Sequence, residues 1–327
     1  MTHSVARGAT PAREVAAAPA SSTSPGLSER SATRIGAVIV TYFPGNAGLQ
    51  ALLHAIRPQV DALVLVDNTP GGAQLAELVG PPGRIQTPRN LGLAAAQNIG
   101  IERLRELRCD FVVLLDQDSL PTERMVENLY RAWVRGSSEG IRIGAVGPQW
   151  VDRLTGTVAP FVRLGIGRMR KLRCRDGDLV PCDVLISSGS LIPMAALDDV
   201  GLMDGDLFID HVDHEWGLRA QARGWKLFGT GGVRLQHGIG DNRIRLWFFG
   251  WRELPVHTPL RDYYKVRNAI AVFLLRPSPW RWRLFCAVML PIFAVASLLL
   301  LPRRPARAAM MLRGLRDALA RRAGPLE

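Results

Sequence analysis

FVVLLDQDSLP, residues 111–121, runs five apolar residues into two aspartates separated by one glutamine. An unbroken apolar run of that length, with no polar alternation, is the pattern of a strand covered on both faces, as in a parallel sheet. Two stretches upstream repeat it: IGAVIVTYFP (35–44) and ALVLVDNTP (62–70) are β-branched runs that close in polar or turn residues. The helix-compatible AGLQALLHAIRPQV lies between them. Strands alternating with helical segments predict an α/β fold with a mostly parallel sheet and helices on both faces.

Open sheets of this kind bind ligands outside the carboxyl ends of their strands. Thr41 and Tyr42 follow the first run, Asp67 and Asn68 the second, Asp116 and Asp118 the third. Acids therefore gather at the mouth of the sheet. In RNLGLAAAQNIGIERLRELR (89–108), the small residues Gly92, Ala94, Ala95, Ala96 and Gly100 allow close backbone approach, and the end reads as an exposed charged helix. Pro121 occupies the place of a first helical turn, followed by the apolar stripe Met125, Val126, Leu129 and Trp133.

The chain has 327 residues, 47% hydrophobic and 21% charged, enough for one large domain or two modest ones. Its formal charge of +12 is unevenly placed: residues 241–327 hold 16 basic and 5 acidic side chains, whereas residues 1–240 are nearly balanced. A neutral body with a basic, apolar C-terminal region points to an anionic membrane surface and away from nucleic acid. Cys109, Cys174, Cys182 and Cys286 are widely spaced and form no CxxC pair, so neither a zinc knuckle nor a disulfide framework is signalled. Residues 1–33, rich in Ala, Ser, Thr and Pro, read as a disordered leader.

LFCAVMLPIFAVASLLLL (284–301) carries no charge over 18 residues, but Pro291 interrupts it and both flanks are rich in arginine. Arginine on both sides conflicts with a single pass obeying the positive-inside rule, so a re-entrant or interfacial segment is expected in preference to a span or a buried hairpin. Trp280 and Trp282, beside Arg281 and Arg283, suit a headgroup layer.

Asp116 and Asp118 are hard oxygen ligands of the kind Mg2+ or Mn2+ takes, completing its shell with phosphate oxygens and water. Alone, an Asp-x-Asp pair is more often a turn or a helix cap. A second group, Asp210, Asp213 and Glu215, crowds the start of a helix in GDLFIDHVDHEWGLRAQARGW (205–225), where it either complements the helix dipole or supplies a general base. His211 and His214, with His237 at the end of GGVRLQH, raise the rival idea of a zinc hydrolase, although neither HExxH nor HxxEH occurs.

In order, VIVTYFPG, VLVDNTP, RNLGLAAAQNIGI, LLDQDS, ISSGSLIPMAALDDVGLMDGDLFIDHVDHEWGLRAQARGW and RDYYKVRNAI resemble the family-2 inverting glycosyltransferases of GT-A fold, and within them bacterial rhamnosyltransferases. The resemblance covers about residues 35–275. It implies that Thr41, Tyr42 and Asp67 line the nucleotide pocket, with Arg89 or Asn90 toward the base or ribose. Asp116 would lean toward ribose and metal, Asp118 would coordinate the divalent ion, and His237 would complete its shell. Asp213 would deprotonate the acceptor hydroxyl, with Ser188, Gly189 and Glu215 on the acceptor side. The chain departs from the commonest pattern at Val212, where an acid is frequent; Asp210 is the nearest substitute. DYYKVRN (262–268) either contacts the acceptor or seats the tail.

The expectation is thus a GT-A domain at 34–275 and a membrane-associating region at 276–327, at the cytoplasmic face of a bacterial inner membrane. The activity implied is transfer of a deoxyhexose, L-rhamnose from dTDP-L-rhamnose, to a lipid-linked or cell-surface glycan. A galactofuranosyl or other hexosyl transferase, and a non-catalytic membrane scaffold, are the alternatives. The sequence does not indicate the oligomeric state.

Overall fold

The computed structural model describes residues 33–72, 83–153, 155–165, 169–237, 243–247 and 251–326, with the backbone alone at 237, 243–247 and 251–255. Apart from Thr33 the expected leader lies outside the described residues. Arg34–Glu327 form one compact unit.

The first runs fold as expected: β1 (Ile35–Thr41), β2 (Ala62–Asp67), β3 (Arg84–Gln86) and β4 (Phe111–Asp116) are parallel neighbours in the order β3-β2-β1-β4. Beyond β4 the sheet continues through β10 (Leu191–Pro193), β6 (Ile143–Asp152), β11 (Lys226–His237) and β5 (Ser119–Pro121), with β9 (Leu179–Cys182) also on β11. β10 runs antiparallel to β4 and β6, and β5 antiparallel to β11. Two hairpins stand apart, β7 (Phe161–Leu164) with β8 (Met169–Leu172) and β12 (Arg243–Trp247) with β13 (Trp251–Pro255). Pro121 belongs to β5 rather than to a helix. It pairs with Leu235 at the end of the sheet path, where the missing N–H of proline is tolerated, and the helix waits until Met125.

Alternate residues of each central strand enter opposite cores, which is why the runs lack polar alternation. Val112 and Leu114 pack with Ala94, Ala96, Ile101 and Leu104 of α2 (Leu93–Glu106) on one face. Val113 and Leu115 pack on the other with Leu49, Leu52 and Ile56 of α1 (Asn46–Ile56) and with Met125, Val126 and Leu129 of α3 (Met125–Ser138). Each such Leu or Ile, fully buried, contributes about 2 kcal/mol of transfer free energy. Gly100 lets α2 close on β1, since a Cβ there would lie 2.3 Å from Val38 Cγ1.

Two further helices cover the sheet, α4 (Met194–Val200) and α5 (Val212–Ala222). Then come α6 (Pro259–Ala269), continued by a π-helical turn Ile270–Leu275, α7 (Trp280–Leu300) and α8 (Arg304–Leu319). DYYKVRN lies in α6 and seats the tail. Arg267 donates to the carbonyls of Gly324 (2.5 Å), Asp206 (3.0 Å) and Leu207 (3.0 Å), and Tyr263 Oη donates to Asp317 (3.1 Å). Arg307 of α8 forms a fully buried ion pair with Asp262 and donates to the His257 carbonyl at 2.7 Å. The boundary expected at 276 therefore falls inside one packed unit. Pro291 sits within α7 without ending it, so the expected interruption is absent from the helix. α7 is the one helix among the described residues long and apolar enough to cross a membrane.

Candidate active site at the carboxyl ends of the strands

β1 is flanked by β2 on one side and β4 on the other, so the chain reverses direction of winding there, the place where open α/β sheets bind ligands. Thr41 pairs across to Asp67, and Val40 to Asp116, which sets the candidate residues level along this edge.

Asp67 is fully buried, and a charge there requires partners. These include Arg84 Nη2 at 3.0 Å, the Thr69 amide at 3.1 Å and Thr41 Oγ1 at 3.3 Å. The neighbouring Asn68 ties the next loop down, donating from Nδ2 to Asn90 Oδ1 (3.0 Å) and to the Gly92 carbonyl (2.9 Å) and accepting from the Leu91 amide (3.0 Å). Asn90 thus shapes the loop, while Arg89 stands exposed at its tip.

Gln117 and Asp118 form the turn between β4 and β5. Gln117 clamps the loop after β1: its Oε1 accepts from the Tyr42 amide at 2.7 Å and its Nε2 donates to the Tyr42 carbonyl at 3.2 Å. Phe43 is in the left-handed region (φ 45°), and its amide is held by Thr69 Oγ1 at 2.9 Å. The Asp116 amide donates to Ser188 Oγ at 3.2 Å, and Ser188 Oγ lies 2.6 Å from Ser119 Oγ. Ser188 is therefore a buried prop beneath the Asp-x-Asp turn, and Gly189 (φ 83°) passes so close to β6 and β11 that a Cβ would sit 2.7 Å from Pro148 Cγ and 2.8 Å from Leu235 Cδ2. The Ser188 hydroxyl points into this packing and not outward.

Asp118 is exposed and Asp116 half-buried. No cluster of three His, Cys, Asp or Glu poised for a metal occurs among the described residues. The donor set is then two carboxylates, which fits a hard divalent ion that takes its remaining ligands from a diphosphate and water. The side chain of His237 lies outside the described residues; its backbone pairs with Ser119, one residue past Asp118.

The loop before α5 is joined to this mouth through α2. The Leu93 amide donates to the Phe208 carbonyl at 2.6 Å, and Gly92 (φ 85°) allows it, since a Cβ there would lie 2.6 Å from that oxygen. Phe208, Asp210 and His211 all have positive φ (64°, 64° and 63°), each a costly conformation for a non-glycine residue. Asn268 compensates by donating from Nδ2 to the carbonyls of Leu207, Ile209 and Asp210 at 2.7–2.9 Å.

The three acids at this helix entrance have separate fates. Asp210 is gripped at two points by Arg261, at 2.7 and 2.8 Å. Glu215 is buried and held by Arg219 at 2.6 and 2.9 Å, so its carboxylate braces α5 and is not presented to an acceptor. Asp213 accepts from the amide and Nδ1 of His214, both at 2.9 Å. Burial works to raise the Asp213 pKa, but His214 outweighs it and holds the carboxyl below its ordinary range. Burial likewise works against the His214 charge and Asp213 overcomes it, leaving that pKa raised. His211 is pushed down to about 4, chiefly by burial and then by His214. His214 thus spends Nδ1 on Asp213, an arrangement suited to orienting a base and not to sharing a zinc ion with His211.

Reading the sequence missed Arg84, Gln117, Arg261 and the pairing role of His214. Only His214, adjacent to an acid at a helix start, carried a local signal; the others meet partners 17 to 75 residues away.

Residues 37–199 match the family model described as glycosyl transferase family 2. The chain is 32% identical over 250 residues to the dTDP-rhamnosyl transferase RfbF of Shigella flexneri, covering 75% of this chain and 81% of that protein. Among solved structures, GalNAc-T7 with UDP, GalNAc and Mn2+ superposes with a TM-score of 0.55 at 14% identity, over 88% of this chain and 56% of that one. S. aureus TarS residues 1–349 superpose with a TM-score of 0.52 at 12% identity, over 88% and 81%. The chain thus spans little more than half of the GalNAc-T7 chain, and these two likenesses concern the fold.

Proposed function

The chain belongs to glycosyl transferase family 2 and is a glycosyltransferase, and from that premise we propose that it transfers L-rhamnose from dTDP-L-rhamnose to a hydroxyl of a lipid-linked glycan. What carries the reading is the convergence of Thr41, Asp67 and Asp116 on the edge where β2 and β4 flank β1, in a chain that shares 32% identity with a dTDP-rhamnosyl transferase. Thr41, Tyr42 and Asp67, with Asn90 and Arg89 on the loop tied to Asn68, form the nucleotide end. Asp116 and Asp118 would hold Mg2+ or Mn2+, with His237 as a further candidate; when bound, the ion neutralises charge on the departing diphosphate. Asp213 takes the proton of the acceptor hydroxyl as that oxygen attacks the anomeric carbon from the face opposite the leaving group, and one displacement inverts the centre.

Within this one packed unit residues 34–275 supply the catalytic groups and 276–327 the membrane attachment, at the cytoplasmic face of a bacterial inner membrane. The outward side of α7 supports this: Leu284, Val288, Met289, Ile292, Val295 and Leu299 are exposed, and Leu312, Leu315 and Leu319 add a second exposed stripe on α8. Both ends of α7 are fastened to the same body, by Trp282 against Phe273 (5.3 Å between stacked rings) and by Arg307 with Asp262 just beyond its end. A helix so fastened, about 30 Å long, lies along a bilayer surface rather than crossing it.

The test is transfer by the full chain from a panel of nucleotide sugars to membrane lipid extracts, with Asp213→Asn as control. Rhamnose transfer that requires Mg2+ or Mn2+ and is lost in Asp213→Asn is the expected result. Equal or better use of another hexosyl donor overturns the sugar assignment, and full activity of Asp213→Asn overturns the base.

A further inference from the structure

His214 is enclosed by rings from three segments. Its centroid lies 5.3 Å from His211, 6.1 Å from Phe273 in the π-helical turn and 6.0 Å from Trp282 in the first turn of α7, all edge-to-face at 70–89°. Phe273 and Trp282 stack on each other at 11°, so they act as one wall. Trp282 itself is almost wholly buried although the apolar side of α7 faces outward. An imidazole ring set edge-to-face among aromatic planes has its tilt fixed by them, and a ring NH or CH edge is attracted to a π face. The same imidazole reaches the Asp213 carboxylate from Nδ1 at 2.9 Å. A continuous set of contacts thus runs from the outward-facing helix, through Trp282 and His214, to the Asp213 carboxylate.

We propose that His214 is a positioning residue that fixes the Asp213 carboxylate for proton abstraction, and that Trp282 sets the His214 ring, so that the seating of α7 governs how well the base is aimed. This rests on Asp213 being the base. The structural logic is that of a catalytic group oriented by a neighbour which does not itself touch the substrate. α7 is at once the helix presented to lipid and the wall of the box, so displacing its first turn unfixes the carboxylate without altering the nucleotide end of the site.

The experiment measures kcat, donor KM and dTDP affinity for the full chain in detergent, for His214→Ala, His214→Asn, Trp282→Ala, Trp282→Phe, Asp213→Asn and the double variant Asp213→Asn/His214→Ala. Asparagine places an amide donor near the site of Nδ1, and phenylalanine restores a ring. The expected result is a fall in kcat of about tenfold or more for both alanine variants, with donor KM and dTDP affinity within about twofold. His214→Asn and Trp282→Phe recover most of the rate. The double variant is no slower than Asp213→Asn, because residues that act as a unit are not additive. A slow Asp213→Asn beside an unimpaired His214→Ala overturns the positioning role and leaves the base intact. A fully active Asp213→Asn overturns the base and this inference with it. Loss of dTDP affinity in His214→Ala that His214→Asn does not repair shows a merely structural role and also overturns the proposal.

Discussion

The side-chain amide of Gln117 bridges the backbone of Tyr42 at both of its polar atoms, accepting at 2.7 Å and donating at 3.2 Å across a separation of 75 residues. The turn between the two metal-ligating candidates and the loop proposed for the nucleotide end are therefore one mechanical piece. Asp116 and Asp118 cannot be positioned without also positioning Tyr42.

Gln117→Ala leaves two backbone groups of Tyr42 without their partner at a part-exposed site, where water replaces them. Donor KM is expected to rise about threefold to tenfold with a change in stability of about 1 kcal/mol or less. Steady-state kinetics with a urea melt alongside checks this, and an unchanged KM removes the link between turn and loop.

Asp118→Ala removes the exposed carboxylate of the pair, and EDTA treatment removes the ion that both would hold. Each is expected to lower transfer by about a hundredfold or more, since leaving-group charge is then unneutralised. Mn2+ or Mg2+ restores the EDTA-treated enzyme and not the variant. Activity indifferent to chelation shows that the pair does not work through a metal.

Asp262 and Arg307 are a fully buried ion pair, and removing one partner strands the other charge. Arg307→Ala and Asp262→Asn are each expected to cost about 3–5 kcal/mol, whereas the apolar pair Asp262→Leu/Arg307→Met recovers a large part. Chemical denaturation curves decide this. A loss below about 1 kcal/mol for Arg307→Ala shows that α8 is not anchored by the pair.

His211 and His257 are both pushed down to about 4, chiefly by burial, so the folded protein keeps them neutral where the unfolded chain, with a pKa near 6.5, is protonated. Below 6.5 the unfolded state binds more protons, and stability falls as pH drops from about 6.5 to about 4, levelling off beneath that. Above 6.5 these two groups make stability independent of pH. Melting temperatures from pH 7.5 to 4.5 test this, with His211→Asn expected to flatten the slope. His214, whose pKa is raised by Asp213, works in the opposite sense and loses its stabilising effect as pH rises through its folded value.

Binding to anionic vesicles tests the attachment. Ile292→Glu and Leu312→Glu/Leu319→Glu alter exposed positions and leave the packed side alone, so the protein stays folded while vesicle co-sedimentation falls about tenfold. Undiminished sedimentation of both variants excludes these stripes as the lipid contact.

The central strands were legible in the sequence because burial on both faces leaves a continuous apolar run, and FVVLLD is that run. The carboxyl-end residues followed from the same reading, since a strand that ends in Thr41, Asp67 or Asp116 must place it at the edge. What was not legible was occupancy. Whether an acid faces a ligand or a guanidinium depends on partners distant in sequence, and so Glu215 and Asp210, which resemble site residues by position, are held by Arg219 and Arg261. Pro121 departs from the helix expectation for a related reason: proline suits the first turn of a helix and the end of a sheet alike, and only the pairing of β5 with β11 decides between them.

The grip of Arg267 and Asn268 on the carbonyls of residues 206–210 bears on how this enzyme can be taken apart. A C-terminal segment whose own seat also braces the loop before Asp213 is not a detachable module. Chimeras with relatives therefore have to exchange residues 204–326 as a block, and grafting α7 and α8 onto a foreign α6 will trade away the geometry of the proposed base along with the proposed anchor.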